Sequence, residues 1–275
     1  MKEVVLKVKE VLKTPIEAPE ISPDLLAGKS NEEIRKIKVW EGNRRIELGG
    51  IFEVEGDAEA NSNELTVRIV GDASKVHKVG CGMKGGSIVV EGSIGMYLGY
   101  EMSGGNITVN GDAGSWVGSK MRDGVIEVRG SAGDLIGAPY RGSRRGMAGG
   151  LIVVHGDVGA EAGCWMRGGT IRVRGSSGMF PGLHMSKGTV LIEGDCEGRA
   201  GAEMIGGKVI VMGHTPSVLP SFSIEGKRGK TKAAGEKIAG PFYVFVGDNN
   251  EGGSGRLFVN IDKNPHLGWC EKYLE

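Results

Sequence analysis

GYEMSGGNITVNG at residues 99–111 is answered by GSKMRDGVIEVRG at residues 118–130, and the likeness of these two stretches decides the fold. From its methionine onward the shared phrase is M-x-x-G-x-[ILV]-x-[VI]-x-G. It occurs seven times, beginning at Met83, Met102, Met121, Met147, Met166, Met185 and Met204. The steps are 19 residues except for one of 26, which is 19 plus a seven-residue insertion. The closing glycines, from Gly92 to Gly213, keep the same steps. A period of this size marks units that cannot bury their apolar faces alone and must stack.

Side-chain spacing says what kind of unit this is. Each phrase carries two β-branched residues two apart, such as Ile107 and Val109, Ile126 and Val128, or Ile171 and Val173. That alternation describes a short strand with one face inward. A second inward pair follows the closing glycine, as in Ala113 and Val117. The expected fold is therefore all-β: a right-handed parallel β-helix, a solenoid of 19-residue rungs, with N- and C-terminal extensions as caps. At ~4.8 Å per rung, seven rungs would span roughly 34 Å. The expected division is an arm and cap at 1–48, the β-helix at 49–213 with its regular repeats at 80–213, and a C-terminal cap at 214–275.

The methionines read as core filler, one flexible thioether per repeat at an irregular corner. The row after the closing glycines alternates Ser93, Asp112, Ser131, Asp157, Ser176 and Asp195. Short polar side chains there suit turn chemistry. Carboxylates one rung apart would repel by ~0.9 kcal/mol even in water, so alternating Asp with Ser relieves the stack. The row three places before those glycines is Val89, Thr108, Glu127, Val153, Arg172, Leu191 and Ile210. Four of the seven are aliphatic although alternation turns them outward, which predicts a cover: a partner subunit first, the chain's own arms second.

Outside the repeats, residues 4–8 alternate like a strand, and Ser30 with Glu33 spells a capping box for a helix running to Ile37. Residues 49–71 read as two degenerate rungs. The basic run Lys227, Arg228, Lys230, Lys232 reads as a solvated loop or cap, and 242–246 with 256–261 as two strands over the last rung.

Lysine plus arginine equals aspartate plus glutamate at 34 each, so no global field draws nucleic acid or a membrane surface. There is no run of ~18 apolar residues and no signal-peptide core at the start, which points to the cytoplasm. Four cysteines lack zinc spacing, five histidines share no interval, and neither a nucleophile elbow nor a phosphate loop is present. No catalytic or metal-ligating residue is expected. His184 and Trp165 each precede a methionine of the ladder, an equivalence that puts both on the outer wall. The insertion, residues 138–146, must protrude, and it carries Tyr140, Arg141, Arg144 and Arg145, side chains suited to carboxylate or aromatic contacts.

These M-x-x-G-x-I-x-V-x-G phrases, with Gly-Asp-Ala-Gly at 111–114, resemble the C subunit of formylmethanofuran dehydrogenase over residues 80–213. They are more distantly similar to the glycine-rich module that ends the glutamate synthase large subunit. The first resemblance implies a structural, non-catalytic subunit of an oxidoreductase complex that reduces CO2 and formylates methanofuran, the first step of methanogenesis. It implies a tungsten- or molybdenum-pterin, zinc and iron–sulfur clusters in other subunits and no cofactor on this chain. The implied partners are those subunits, the amidohydrolase-like and pterin ones above all. Methanofuran carries a carboxylate-rich tail, so Arg141, Arg144 and Arg145, with Arg122 and Arg167, are candidates for that tail or for an acidic partner. The alternatives are the equivalent subunit of a formyltransferase/hydrolase complex and a glutamate synthase-like spacer.

Overall fold

The structure, a computed structural model, describes residues 2–274. Each repeat contributes one strand, and the strands of successive repeats pair in parallel with like over like. Ile107 lies beside Ile88, Ile126 beside Ile107, Ile152 beside Ile126, and Ile171 beside Ile152. The valines two places on keep the same register. Both inward rows are buried throughout, and all seven methionines have zero exposure. Each such side chain contributes ~1.5–3 kcal/mol by leaving water.

Together the strands form one mixed sheet of thirteen. From edge to edge the order is Phe52–Glu55, Lys2–Val8, Leu65–Val70, Ser87–Val90, Ser103–Val109, Asp123–Val128, Leu151–Val154, Arg167–Val173, Lys187–Ile192, Lys208–Val211, Gly255–Asn260, Glu236–Gly247 and Ser223–Ala233. A small four-stranded sheet holds Arg44–Glu47, Lys38–Glu41, Ile16–Glu17 and Val76–His77.

This architecture corrects the expected right-handed parallel β-helix. The protein is mostly β, but its strands make one large, mostly parallel sheet with antiparallel strands at both edges and few helices. The return path of each repeat builds no second continuous sheet. It contributes a single bridged residue, in the row Ala73, Ile94, Ala113, Ala132, Val158, Ser177, Cys196. The physical reason lies at the corners. Left-handed residues such as Trp116 (φ 62°) and Lys120 (φ 55°) turn the chain every few positions, leaving no length for a strand.

The ends also differ from expectation. Residues 49–71 do not stack as two successive repeats. Lys2–Val8 inserts between their strands, parallel to Leu65–Val70 and antiparallel to Phe52–Glu55. The capping box at Ser30 and Glu33 is present, on a helix spanning Asn31–Arg35. The basic run is not a loop. It lies in the edge strand Ser223–Ala233, whose hairpin with Glu236–Gly247 turns back over the outward row. There Leu191 and Ile210 are covered by Ala233, Phe242, Val244 and Phe258, so at this end the chain provides its own cover.

The alternating polar row stitches neighbouring repeats together. The Ser131 N–H donates to Asp112 Oδ1 at 2.8 Å, Asp157 N–H to Ser131 Oγ at 3.2 Å, and Ser176 N–H to Asp157 Oδ1 at 2.7 Å. Each bond contributes ~0.5–1.5 kcal/mol.

Candidate functional site

The corners of the repeat place bulky side chains in the left-handed region, where a residue other than glycine is strained by ~1–2 kcal/mol. One column runs through Tyr97, Trp116, Leu135, Glu161 and Phe180, and a second includes Trp165 and His184. Repeat stacking brings neighbours in a column into face contact. Tyr97 and Trp116 stack with centroids 5.0 Å apart and planes 13° from parallel, and Trp165 and His184 stack at 4.0 Å and 17°. Stacking returns ~0.5–1.5 kcal/mol per pair, comparable with the strain.

The insertion joins the two stacks. It leaves the repeat after Gly137 and returns at Met147, whose N–H donates to the Gly137 carbonyl at 2.7 Å. Its base, Ala138 and Pro139, is buried, while Tyr140 is 56% exposed and the three arginines reach solvent. Tyr140 sits 6.4 Å from the Tyr97 ring, and the Arg144 guanidinium lies 5.5 Å from the centre of Trp165. Tyr140 lines two clefts. One, of about 210 Å³, is lined by Trp116, Tyr140, Arg141, Glu161, Cys164 and Trp165. The other, of about 660 Å³, is lined by Glu17, Lys78, Cys81, Tyr97, Tyr100 and Tyr140.

The electrostatics of these clefts are set by burial and by local pairing. Burial, aided by Glu161, pushes the Cys164 thiol up to about 12, so it stays protonated and a poor nucleophile. Burial raises the Cys81 thiol and the Tyr97 phenol as well. Lys78 is paired with Glu17 at 2.7 Å, and Lys120 reaches the Tyr100 hydroxyl at 3.2 Å. The Trp116 indole nitrogen is buried without an acceptor among the described residues. Elsewhere, His155 meets Glu127 at 2.7 Å and His184 meets Glu203 at 3.2 Å. Among the described residues no group of three or more His, Cys, Asp or Glu side chains is arranged to hold a metal.

Of the five arginines singled out in the sequence, Arg141 and Arg144 line this face. Arg145 is exposed on the return of the loop. Arg122 and Arg167 stand in a different row, each directly after a ladder methionine, with Ala148 between them. The backbone there follows the methionine corner, so like residues are two repeats, ~9.6 Å, apart. Sequence reading missed Tyr97, Tyr100 and Trp116. Tyr97 and Trp116 hold equivalent places one period apart, each two before a repeat glycine, and aligning the repeats on that glycine would have exposed the pair.

No family profile matches the chain. It is 56% identical over 268 residues to the C subunit of tungsten-containing formylmethanofuran dehydrogenase 2 of Methanothermobacter thermautotrophicus, covering 97% of this chain and 99% of that protein. It is also 56% identical to the C subunit of the same enzyme from Methanococcus maripaludis, covering 97% of this chain and all (100%) of that one. Among solved structures, a chain of the formyltransferase/hydrolase complex from Methylorubrum extorquens, crystallised with methylofuran, superposes with a TM-score of 0.79 at 27% identity, covering 93% of this chain and 99% of that chain. With more than half its residues shared along nearly its whole length, the chain belongs to the family of formylmethanofuran dehydrogenase C subunits.

Proposed function

We propose that this chain is the structural, non-catalytic C subunit of a formylmethanofuran dehydrogenase, holding catalytic subunits in register while they reduce CO2 and formylate methanofuran. The observation that carries this is the 56% identity over 97% of the chain to a subunit of that oxidoreductase complex. The state of the reactive groups supports a scaffold role. Burial pushes the Cys164 thiol up to about 12, which makes it a poor nucleophile. On this reading the pterin-bound tungsten or molybdenum, the zinc and the iron–sulfur clusters belong to other subunits, and the complex works in the cytoplasm. Arg141, Arg144, Arg145, Arg122 and Arg167 are then candidates for an acidic partner or for the carboxylate tail of methanofuran.

The test is to tag the chain in cells that make the complex and identify what co-purifies. Pterin and amidohydrolase-like subunits should be recovered, with formylmethanofuran dehydrogenase activity in the assembly and none in the isolated chain. Turnover by the isolated chain would overturn the reading. A second reading, the corresponding subunit of a formyltransferase/hydrolase complex, draws on the TM-score of 0.79. Recovery of formyltransferase and hydrolase subunits without a pterin subunit would favour it.

A further inference from the structure

Five of the chain's nine tryptophans and tyrosines (4 Trp plus 5 Tyr) gather around the insertion: Tyr97, Tyr100, Trp116, Tyr140 and Trp165. Interface centres are enriched in tyrosine, tryptophan and arginine, and all three types converge here. From this we infer that the projection at 138–146, with the stacked pairs Tyr97–Trp116 and Trp165–His184 on either side, docks an acidic, extended segment of a neighbouring protein in the complex. The inference rests on the family reading above and adds to it the surface and the chemistry of the contact.

Charge argues for an acidic occupant. Arg141, Arg144 and Arg145 reach solvent, and among the described residues none of them forms an ion pair with this chain's own carboxylates, although the net charge is zero. Planar guanidinium groups match carboxylates in a two-bond fork, and stacking Arg144 over Trp165 holds one such fork in place.

Shape argues for an extended segment. Tyr140 lines both clefts, of about 210 and 660 Å³, so one extended segment passing over it can place a side chain in each. Rings fixed by stacking in a left-handed corner lose little freedom on binding, which favours them as anchors.

The experiment uses the tagged chain within its complex. Arg144→Lys keeps the charge and introduces an amine. A water-soluble carbodiimide then joins that amine to an adjacent carboxyl as an amide, and its own urea leaves with the carboxyl oxygen. The expected product is a cross-link from position 144 to an Asp or Glu of another protein in the complex. Cross-linking only within the chain, to a small-molecule carboxylate, or to no protein overturns the inference. In parallel, Arg141→Glu/Arg144→Glu/Arg145→Glu should lower recovery of that protein by about tenfold or more, because like charges would meet at the contact. A control with equal charge change on the remote hairpin, Arg228→Glu/Lys230→Glu/Lys232→Glu, should assemble as the parent does. Equal recovery with both variants removes the inference and leaves the family reading intact. Failure of the unaltered chain to recover any other member of the complex removes both.

Discussion

The terminal methyl of Met102 occupies the place where a side chain on Gly124, one repeat later, would begin. A Cβ built on Gly124 would lie 2.7 Å from Met102 Cε and 2.7 Å from the Gly105 carbonyl oxygen, on a backbone with φ of 97°. The same contact joins Met83 to Gly105, Met121 to Gly150 and Met147 to Gly169. Each of the first six ladder methionines and the glycine three places after the next one are thus two halves of one packing device, which explains why the two residue types recur together.

Gly124→Ala should therefore destabilise the chain by about 2–4 kcal/mol, summing left-handed strain and overpacking. Gly142→Ala, where nothing lies within 4 Å of the added carbon, shares only the unfavourable φ of 87° and should cost less. Denaturant unfolding of the two variants measures the difference, and equal losses would leave the methyl–glycine contact without energetic weight.

Met121 is fully buried in the same ladder. Met121→Lys should cost several kcal/mol, combining ~1.5–3 of lost burial with an unpaired internal charge. A midpoint unchanged in a thermal melt would contradict a core position.

His77 accepts a hydrogen bond from the Met96 N–H through Nδ1 at 2.9 Å, which requires that nitrogen to be unprotonated. Burial lowers its pKa from 6.5, with Lys75 and Lys78 acting the same way and Glu17 opposing them. Because the folded value lies below the unfolded one, the contribution is present above pH 6.5 and is lost as the pH falls through the depressed folded value. Between pH 6.5 and that depressed value, stability of the parent should fall on acidification more steeply than stability of His77→Gln. Parallel pH profiles would show that His77 does not report on the fold.

Phe242 has zero exposure and meets Phe258 edge to face at 5.8 Å, over Leu191 and Ile210. Phe242→Ala should cost about 3–5 kcal/mol. It should also raise binding of a hydrophobic dye, as the outward aliphatic row loses its cover. Loss of stability without dye binding would mean that the hairpin stays in place.

Sequence alone determined the register of this protein. A period of 19 with apolar residues two apart can bury its β-branched pairs only by placing Ile126 beside Ile107 and Val128 beside Val109, and it drives the methionines inward. It also marked the insertion as a projection, because regular repeats resume on both sides. Tertiary structure alone decided the rest. Whether a return path becomes a second sheet depends on corner dihedrals, and these turned the expected helix of rungs into one thirteen-stranded mixed sheet. Pairing between distant segments set Lys2–Val8 beside Leu65–Val70 and folded Phe242 over Leu191. The aromatic face was hidden for the same reason. Tyr97, Tyr140 and Trp165 are far apart in the chain, and only the stacking of repeats, with a loop reaching back across them, makes them neighbours.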